Sequence, residues 1–335
     1  MADYIYQITA DSGCDLSLEK CTERGVIPYK MPFTMDGKPM IDGMTEESFR
    51  EFYDLMRAGG IARTSQINPG EFTEFWRPLA EAGKNVLHIS LAAAISGSCD
   101  NARSAAAMLM EEYPGWTCRV VDSTNASAGF GLVVLRAADN RDKGLDLEAN
   151  ALELESITHK TNSIFTTNDL TYLYRGGRVS KTAAAFGTAL NIVPIMHLDY
   201  EGHLEVWQKV RGDKQCFKKV IKDVQELVVD AAGQTLIVSE ADAPEKAREY
   251  GEALVRECGF RDVFYTHIGP IIGAHTGPGL ISIFFVGKER PLQLLQSSDC
   301  KYRHSPQKLS VHQCREHSHF GLWFRGFPDH APRIL

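Results

Sequence analysis

Apolar, strand-like runs alternate with helical patterns along the first half of the chain, and this alternation is the strongest constraint on the fold. The runs occupy residues 4–9, 85–91 and 118–123, and helical patterns occur near 45–58 and at 127–141. A strand–helix–strand order predicts parallel strands, because a parallel pair needs a long crossover connection. We therefore predict an α/β fold whose N-terminal domain, residues 1–160, is doubly wound around a mostly parallel sheet.

The second half of the chain has a different pattern, which predicts a C-terminal domain over residues 161–290. Gly202 lies between the strand-like runs NIVPIMHLD and EVWQKV, an arrangement that favours an antiparallel hairpin. Helical patterns at 213–231 and 243–257 then alternate with further apolar runs. This combination predicts a two-layer α/β domain with a mixed sheet.

The last segment, residues 291–335, has no sustained helical or strand periodicity. Five of the eleven histidines fall within residues 304–330. Their spacing, HxxxxH followed by HSH, is poor for a metal site. We therefore expect a poorly ordered extension and no metal.

Charge and cysteine usage limit the classes of partner and the cellular compartment. The formal net charge of −7 argues against a nucleic-acid partner and favours small molecules or proteins. No run approaches the ~20 apolar residues that cross a bilayer, so membrane insertion is not expected. The eight cysteines include no CxxC pair, which predicts neither a zinc site nor a disulfide framework. A cytoplasmic location fits this composition best.

A polar turn, ISGSCDNAR, follows the strand-like run at residues 85–91. A serine ahead of an apolar-periodic helix is typical of an N-cap, which would explain Ser96 and Ser98. A hydrolase nucleophile elbow would require GxSxG, and residue 94 is alanine. Hydroxyl groups beside a helix N-terminus also suit a carboxylate or a phosphate. The sequence leaves the helix cap and the anion site both open.

A second hydroxyl-rich segment, ARTSQINPGEF, places Thr64 and Ser65 before a Pro-Gly turn. Alone it is typical of a turn and a helix cap. Together with Ser96 and Ser98 it offers neutral donors without a positioned base. Such a set favours binding of an anionic head group over attack on it.

Two glycine-containing segments carry candidate charged groups. YLYRGGRVSK places Arg175 and Arg178 around a Gly-Gly pair, which fits either a solvated turn or an anion-facing loop. HIGPIIGAHTGPG contains His267 and His275, whose separation does not suit a helical metal site. The dense glycines indicate sharp turns or a close approach of the backbone to another group.

Seven segments, in this order and spacing, resemble motifs of the DegV family of bacterial fatty-acid-binding proteins. The resemblance covers about residues 4–288 and implies a two-domain protein that holds one long-chain fatty acid between its domains. It implies no catalysis by this chain and no cofactor. The segments are TADSGCDLS, TSQINPGEF, ISGSCDNA, VDSTNASAGFG, YLYRGGRVSK, NIVPIMHLDYEGHL and HIGPIIGAHTGPG.

The resemblance also implies roles for single residues and a protein partner. In some members of the family a separate kinase subunit uses ATP to phosphorylate the acyl carboxylate for phospholipid synthesis. The residues that would bind the carboxylate are Thr64, Ser65, Ser96 and Ser98. Those near the head group or facing the partner are Arg175, Arg178, Arg211, His267 and His275.

Two other classes of function remain as alternatives. One is a serine-dependent esterase or phosphotransferase that uses Ser96 or Ser98 with His267 or His275 as the base. It requires a serine and a histidine within hydrogen-bond reach and a third group that orients the histidine. The other is a nucleotide-binding protein, although the sequence has no GxGxxG after the first strand and no P-loop motif.

Overall fold

The computed structural model describes residues 4–179 and 191–290, which contain three β-sheets flanked by helices. The predicted extension at 291–335 lies outside the described residues. The boundary predicted between 160 and 161 remains a prediction. The strands are β1 Gln7–Asp11, β2 Val26–Tyr29, β3 Pro32–Met35, β4 Lys38–Ile41, β5 Ala62–Thr64, β6 Val86–Ser90, β7 Cys118–Asp122, β8 Thr161–Thr166, β9 Ile192–Leu198, β10 Leu204–Arg211, β11 Thr235–Glu240, β12 Asp262–His267 and β13 Ile281–Val286.

The helices lie between these strands, as the alternating pattern predicts. None of the described helices combines the length and the apolar character needed to cross a bilayer. The helices are α1 Leu18–Glu23, α2 Glu46–Arg57, α3 Pro69–Glu81, α4 Ser98–Glu112, α5 Ser127–Asp142, α6 Leu147–Ile157, α7 Thr171–Arg175, α8 Asp213–Leu227, α9 Pro244–Cys258 and α10 Pro270–Thr276.

The N-terminal sheet is fully parallel, in the order β2-β1-β6-β7, which confirms the predicted α/β class. Its side chains alternate between two apolar cores. Ile8 and Leu87 pack in the core shared with α5 and α6, whereas Val86 packs with Trp76 of α3 and Leu109 of α4. Because both faces are covered, β1 and β6 are almost fully buried, as is typical of parallel sheets, although Thr9, His88 and Ser90 within them are polar.

The larger sheet is mixed, as predicted, in the order β10-β9-β8-β13-β11-β12. Only β11 and β12 pair in parallel. β9 and β10 form the predicted hairpin, and Gly202 in its turn has φ +96°, a conformation that favours glycine. Helices α8 and α9 cover one face of this sheet. The helix predicted over 213–231 ends at Leu227, because Val228 is extended and bridges to Gly287.

A third sheet, in the order β4-β3-β5, is antiparallel and was not predicted. Its strands have only three or four residues, and two of them contain proline. Such short runs show too few alternations to distinguish a strand from a loop. The sheet nevertheless matters for the site, because pairing with Phe33 of β3 fixes Thr64.

Helix α5 is enclosed between the parallel and the mixed sheets. It contacts β1 and β6 on one side and β8, β11 and β13 on the other. A helix packed between two sheets needs apolar side chains on both of these faces, and eleven of its sixteen residues are buried, whereas Arg136 and Asp142 are exposed. At Gly129 the packing leaves no space for a side chain, because a Cβ atom there would lie 2.7 Å from Phe284 and 2.9 Å from Ser163.

We expect Gly129→Ala to lower the free energy of unfolding by about 1–3 kcal/mol, because the added methyl group must displace the wall of the mixed sheet. Chemical denaturation measures the change. The matched control is Gly70→Ala in the first turn of α3, where the nearest atom to a new Cβ is Asn68 Oδ1 at 3.2 Å. Equal changes in the free energy of unfolding for the two substitutions would contradict a tight contact between Gly129 and the mixed sheet.

Candidate functional site

The candidate site is a cavity of about 510 Å³ at the carboxyl end of β6. Parallel sheets commonly bind ligands at this end of their strands. The walls come from the loop after β5, the turn after β6, the start of α5, the segment after α7, β10 and α10. Its lining is Met31, Thr64, Ser65, Gln66, Leu91, Ala93, Ala94, Ile95, Ser96, Gly97, Ala126, Leu173, Arg178, Leu204, Ile271, Ile272, His275 and Thr276.

A smaller cavity of about 40 Å³ adjoins it and shares Ala126, Leu204, Ile272 and Thr276 with it. This deeper cavity lies between the start of α5 and the mixed sheet, where Phe165 and Phe284 form part of its wall. The shared residues line both spaces, which places the smaller cavity directly beside the larger one.

A hydrogen bond between Thr64 Oγ1 and His275 Nε2, 2.7 Å long, joins β5 to α10 at the wall of the larger cavity. Burial, together with the nearby charge of Arg178, lowers the pKa of His275 to about 4. The imidazole is therefore neutral at pH 7. Its Nδ1 atom is buried and has no hydrogen-bond partner among the described residues.

Ser96 and Ser98 have different positions in the turn before α4. The Ser96 hydroxyl lines the cavity and donates to Ser98 Oγ at 3.1 Å. Ser98 is fully buried, and its Oγ accepts the backbone N–H of Ile67 at 3.1 Å. Gly97 occupies the N-cap position, so neither serine is the predicted N-cap residue, but Ser96 Oγ accepts the backbone N–H of Ser98, the first residue of α4, at 3.3 Å. Ser98 instead ties the loop after β5 to α4.

The loop after β5 is also fixed at its far end. Asn68 is the N-cap of α3 and forms a capping box with Glu71. The side chain of Asn101 donates to Ile67 O at 2.8 Å. Ser65 and Gln66 between these anchors are exposed to solvent at the mouth of the cavity.

Arg178 lines the cavity, and its guanidinium donates to Gly176 O at 2.6 Å and to Ile95 O at 3.1 Å. Burial lowers its pKa. Arg175 is exposed and lies over the Tyr172 ring, 5.6 Å from the ring centroid, outside the cavity lining.

The structure does not bring Arg211 or His267 to the cavity. Arg211 is exposed at the end of β10. His267 forms a hydrogen bond with the buried carboxylate of Glu240, which raises the pKa of the histidine. β12 ends at His267 and α10 begins at Pro270, so the two histidines of this glycine-rich segment face different surroundings.

Sequence reasoning did not identify the carboxylates that hold the loops of the site. Asp11 Oδ2 accepts the backbone N–H of Leu91 at 3.2 Å, and Asp122 accepts that of Ala93. Burial raises the pKa of Asp11 to about 6. Both aspartates end a strand of the parallel sheet, a position that could have indicated them. Within residues 4–179 and 191–290, no group of three or more acidic, histidine or cysteine side chains could hold a metal.

Comparison with known proteins gives consistent similarities. The family model described as "Uncharacterised protein, DegV family" matches residues 6–288. The DegV domain-containing protein YteA of Lactococcus lactis is 32% identical over 287 residues, which are 85% of this chain and 98% of that protein.

Two solved structures share the fold. One, of a DegV family protein from Thermus thermophilus described by its fatty acid binding, has a TM-score of 0.72 at 29% identity and covers 83% of this chain and 98% of its own. The other, of a fatty acid binding DegV family protein from Streptococcus agalactiae, has a TM-score of 0.72 at 26% identity and covers 85% and 99%.

The neutral state of His275 predicts a pH dependence of stability. Its pKa in the folded protein, about 4, is below the usual value of 6.5, so the unfolded chain binds more protons between these pH values. Between pH 7.5 and 5, the ligand-free wild type should therefore lose about 2 kcal/mol more stability than His275→Gln. Urea unfolding at both pH values tests this. Parallel losses in the two proteins would contradict a neutral, buried imidazole.

Proposed function

The chain belongs to the DegV family, whose model spans residues 6–288, and from this premise we propose that it binds one long-chain fatty acid. The observation that carries the proposal is the Thr64 to His275 hydrogen bond at the wall of a cavity that Ser96 also lines and that adjoins a smaller apolar cavity. The carboxylate would lie at this polar cluster, and the acyl tail would extend toward Phe165 and Phe284.

The tail supplies most of the binding free energy. Each methylene group moved from water to an apolar wall contributes roughly 0.8 kcal/mol, so a long acyl chain contributes on the order of 10 kcal/mol before the costs of association. Ile271, Ile272 and Leu204 give the cavity the apolar lining that this transfer requires. The head group therefore needs to be hydrogen-bonded and does not need a strong ion pair.

The head group would be bound mainly by neutral donors. A buried carboxylate costs several kcal/mol unless it accepts hydrogen bonds. We assign direct contact to three of the lining hydroxyls, Thr64, Ser65 and Ser96, and we assign to Ser98 the support of the loop that carries Thr64 and Ser65. Arg178 supplies positive charge at the same wall.

We propose that the protein is a carrier without catalysis of its own. Among the described residues, no histidine is hydrogen-bonded to Ser96 or Ser98, whose hydroxyls bond to each other. The one hydroxyl–imidazole pair of the cavity, Thr64 with His275, lacks a group that orients Nδ1. A nucleophile and base need that third group, so the serine esterase alternative receives no support from this geometry.

We further propose that a separate ATP-dependent kinase phosphorylates the bound carboxylate, for use in phospholipid synthesis. The partly exposed Thr64 and Ser96 and the exposed Ser65 leave the head group near the surface. Positive charge at Arg178 and at the exposed Arg175 would offset the added charge of an acyl phosphate. A partner that uses ATP implies a cytoplasmic location, which the free thiols of the six described cysteines also fit.

Purified protein should carry a bound fatty acid. Native purification followed by denaturation and mass spectrometry should identify one long-chain species at close to one molecule per chain, because a tail-dominated complex dissociates slowly. Protein that contains no lipid and takes up neither palmitate nor oleate would contradict the proposed function.

The double substitution Thr64→Ala with Ser96→Ala should weaken palmitate binding about a hundredfold, because a hydrogen bond to a charged group contributes roughly 1.5–3 kcal/mol. Displacement of a fluorescent fatty acid measures the affinity. The control replaces the same residue types remote from the cavity, Thr22→Ala with Ser104→Ala, whose hydroxyls donate to backbone carbonyls of their own helices. Equal palmitate affinities in the two double variants would contradict the assignment of the Thr64 and Ser96 hydroxyls to the head-group site.

A further inference from the structure

Asp15, in the turn after β1, is fully buried and lies outside the cavity lining. Its Oδ1 accepts the backbone N–H of Gly269 at 2.9 Å, and its Oδ2 accepts the hydroxyl of Ser127 at 2.5 Å. Its backbone carbonyl accepts the hydroxyl of Thr266 at 2.6 Å. One residue therefore joins the turn after β1 to the first residue of α5 and to the segment that precedes α10.

Helix α10 transmits this attachment to the site. Gly269 is the N-cap of α10, and His275 lies six residues further along, roughly 9 Å at 1.5 Å per residue. Ile271 and Ile272 on the same helix line the cavity, as does Ala126 immediately before α5. The Asp15 carboxylate thus holds the starts of both helices that form this part of the wall.

We propose that Asp15 is a positioning residue of the fatty-acid site, whose side chain sets the position of α10 and thereby of His275 relative to the acyl carboxylate. This inference rests on the proposed function. It assigns to Asp15 no contact with the ligand. It predicts that loss of the side chain weakens recognition of the carboxylate more than binding of the tail.

Two substitutions at Asp15 distinguish the effect of its side chain from the effect of its backbone conformation. Asp15 has φ +51°, so glycine removes the carboxylate without strain, and asparagine tolerates the same conformation. Asparagine also keeps an oxygen for the Gly269 N–H. Burial raises the pKa of Asp15 well above its usual value, which favours the uncharged form that asparagine resembles.

Asp42 provides a matched control. It is a second buried aspartate of the same region, 1% exposed like Asp15, and its Oδ1 accepts the backbone N–H of Met44 before α2. Its carboxylate forms no hydrogen bond with α5 or α10 in the described residues. Asp42 lies beside Asp15 and Gly269, so Asp42→Asn perturbs a neighbouring buried carboxyl group without removing a hydrogen bond to α10.

The experiment measures dissociation constants for palmitate and for 1-hexadecanol, which share a sixteen-carbon tail and differ in the head group. In the wild type, palmitate should bind more tightly. In Asp15→Gly we expect palmitate affinity to fall about tenfold, the effect of losing one good hydrogen bond to the carboxylate, while hexadecanol affinity changes less than about twofold. Asp15→Asn and Asp42→Asn should keep the ratio of the wild type.

Several outcomes would overturn the proposal. Equal losses of affinity for palmitate and hexadecanol in Asp15→Gly would show a purely structural role. A change in the ratio of the two affinities in Asp42→Asn as large as that in Asp15→Gly would show the same. If Asp15→Gly does not fold, Ser127→Ala removes one partner of the carboxylate and should lower the ratio by a smaller factor, and an unchanged ratio would overturn the proposal. A wild type that binds neither probe would instead overturn the proposed function, together with this inference.

Discussion

The enclosure of α5 between two sheets is the constraint on which the site depends. The helix contacts β1 and β6 of the parallel sheet and β8, β11 and β13 of the mixed sheet, so the two sheets pack against opposite faces of one helix. Its first turn lies beside the cavity, where Ala126 contributes to the wall. The smaller cavity lies near the start of the helix, where its wall includes Ser127 and Phe284.

In the proposed complex, the acyl tail and the carboxylate contribute differently to binding because they meet different parts of the cavity wall. An apolar tail gains free energy in proportion to the area removed from water, whereas a carboxylate gains little net free energy and loses much if it is left without partners. In the proposed complex, neutral hydroxyls would satisfy the carboxylate oxygens at low desolvation cost. Arg178 contributes charge, but its guanidinium already donates to two backbone carbonyls, so it is fixed in place before a ligand arrives.

Much of the fold could be predicted from the sequence, because buried parallel strands and their helices leave long apolar patterns. The β9–β10 hairpin could also be predicted, because Gly202 lies between its two strand-like runs. The β4-β3-β5 sheet was not, because strands of three or four residues leave no period to detect. For the site, the sequence indicated Thr64 and His275 without showing that they bond. The distance of His267 from the cavity depends on where β12 ends, which local sequence does not determine.

The polar turns at the strand ends hold the backbone as well as facing the cavity. Asp11 holds Leu91, Asp122 holds Ala93, Asp15 holds Gly269 and Ser98 holds Ile67, each through a backbone N–H. A loop has no helix or sheet partners for its backbone N–H groups, so these groups need acceptors from elsewhere. A short loop that holds hydroxyls at a fixed spacing therefore depends on neighbouring segments for its conformation. Buried acceptors on neighbouring strand ends satisfy those donors and fix the loops together. Residues of a motif can therefore be essential to a binding site without touching the ligand.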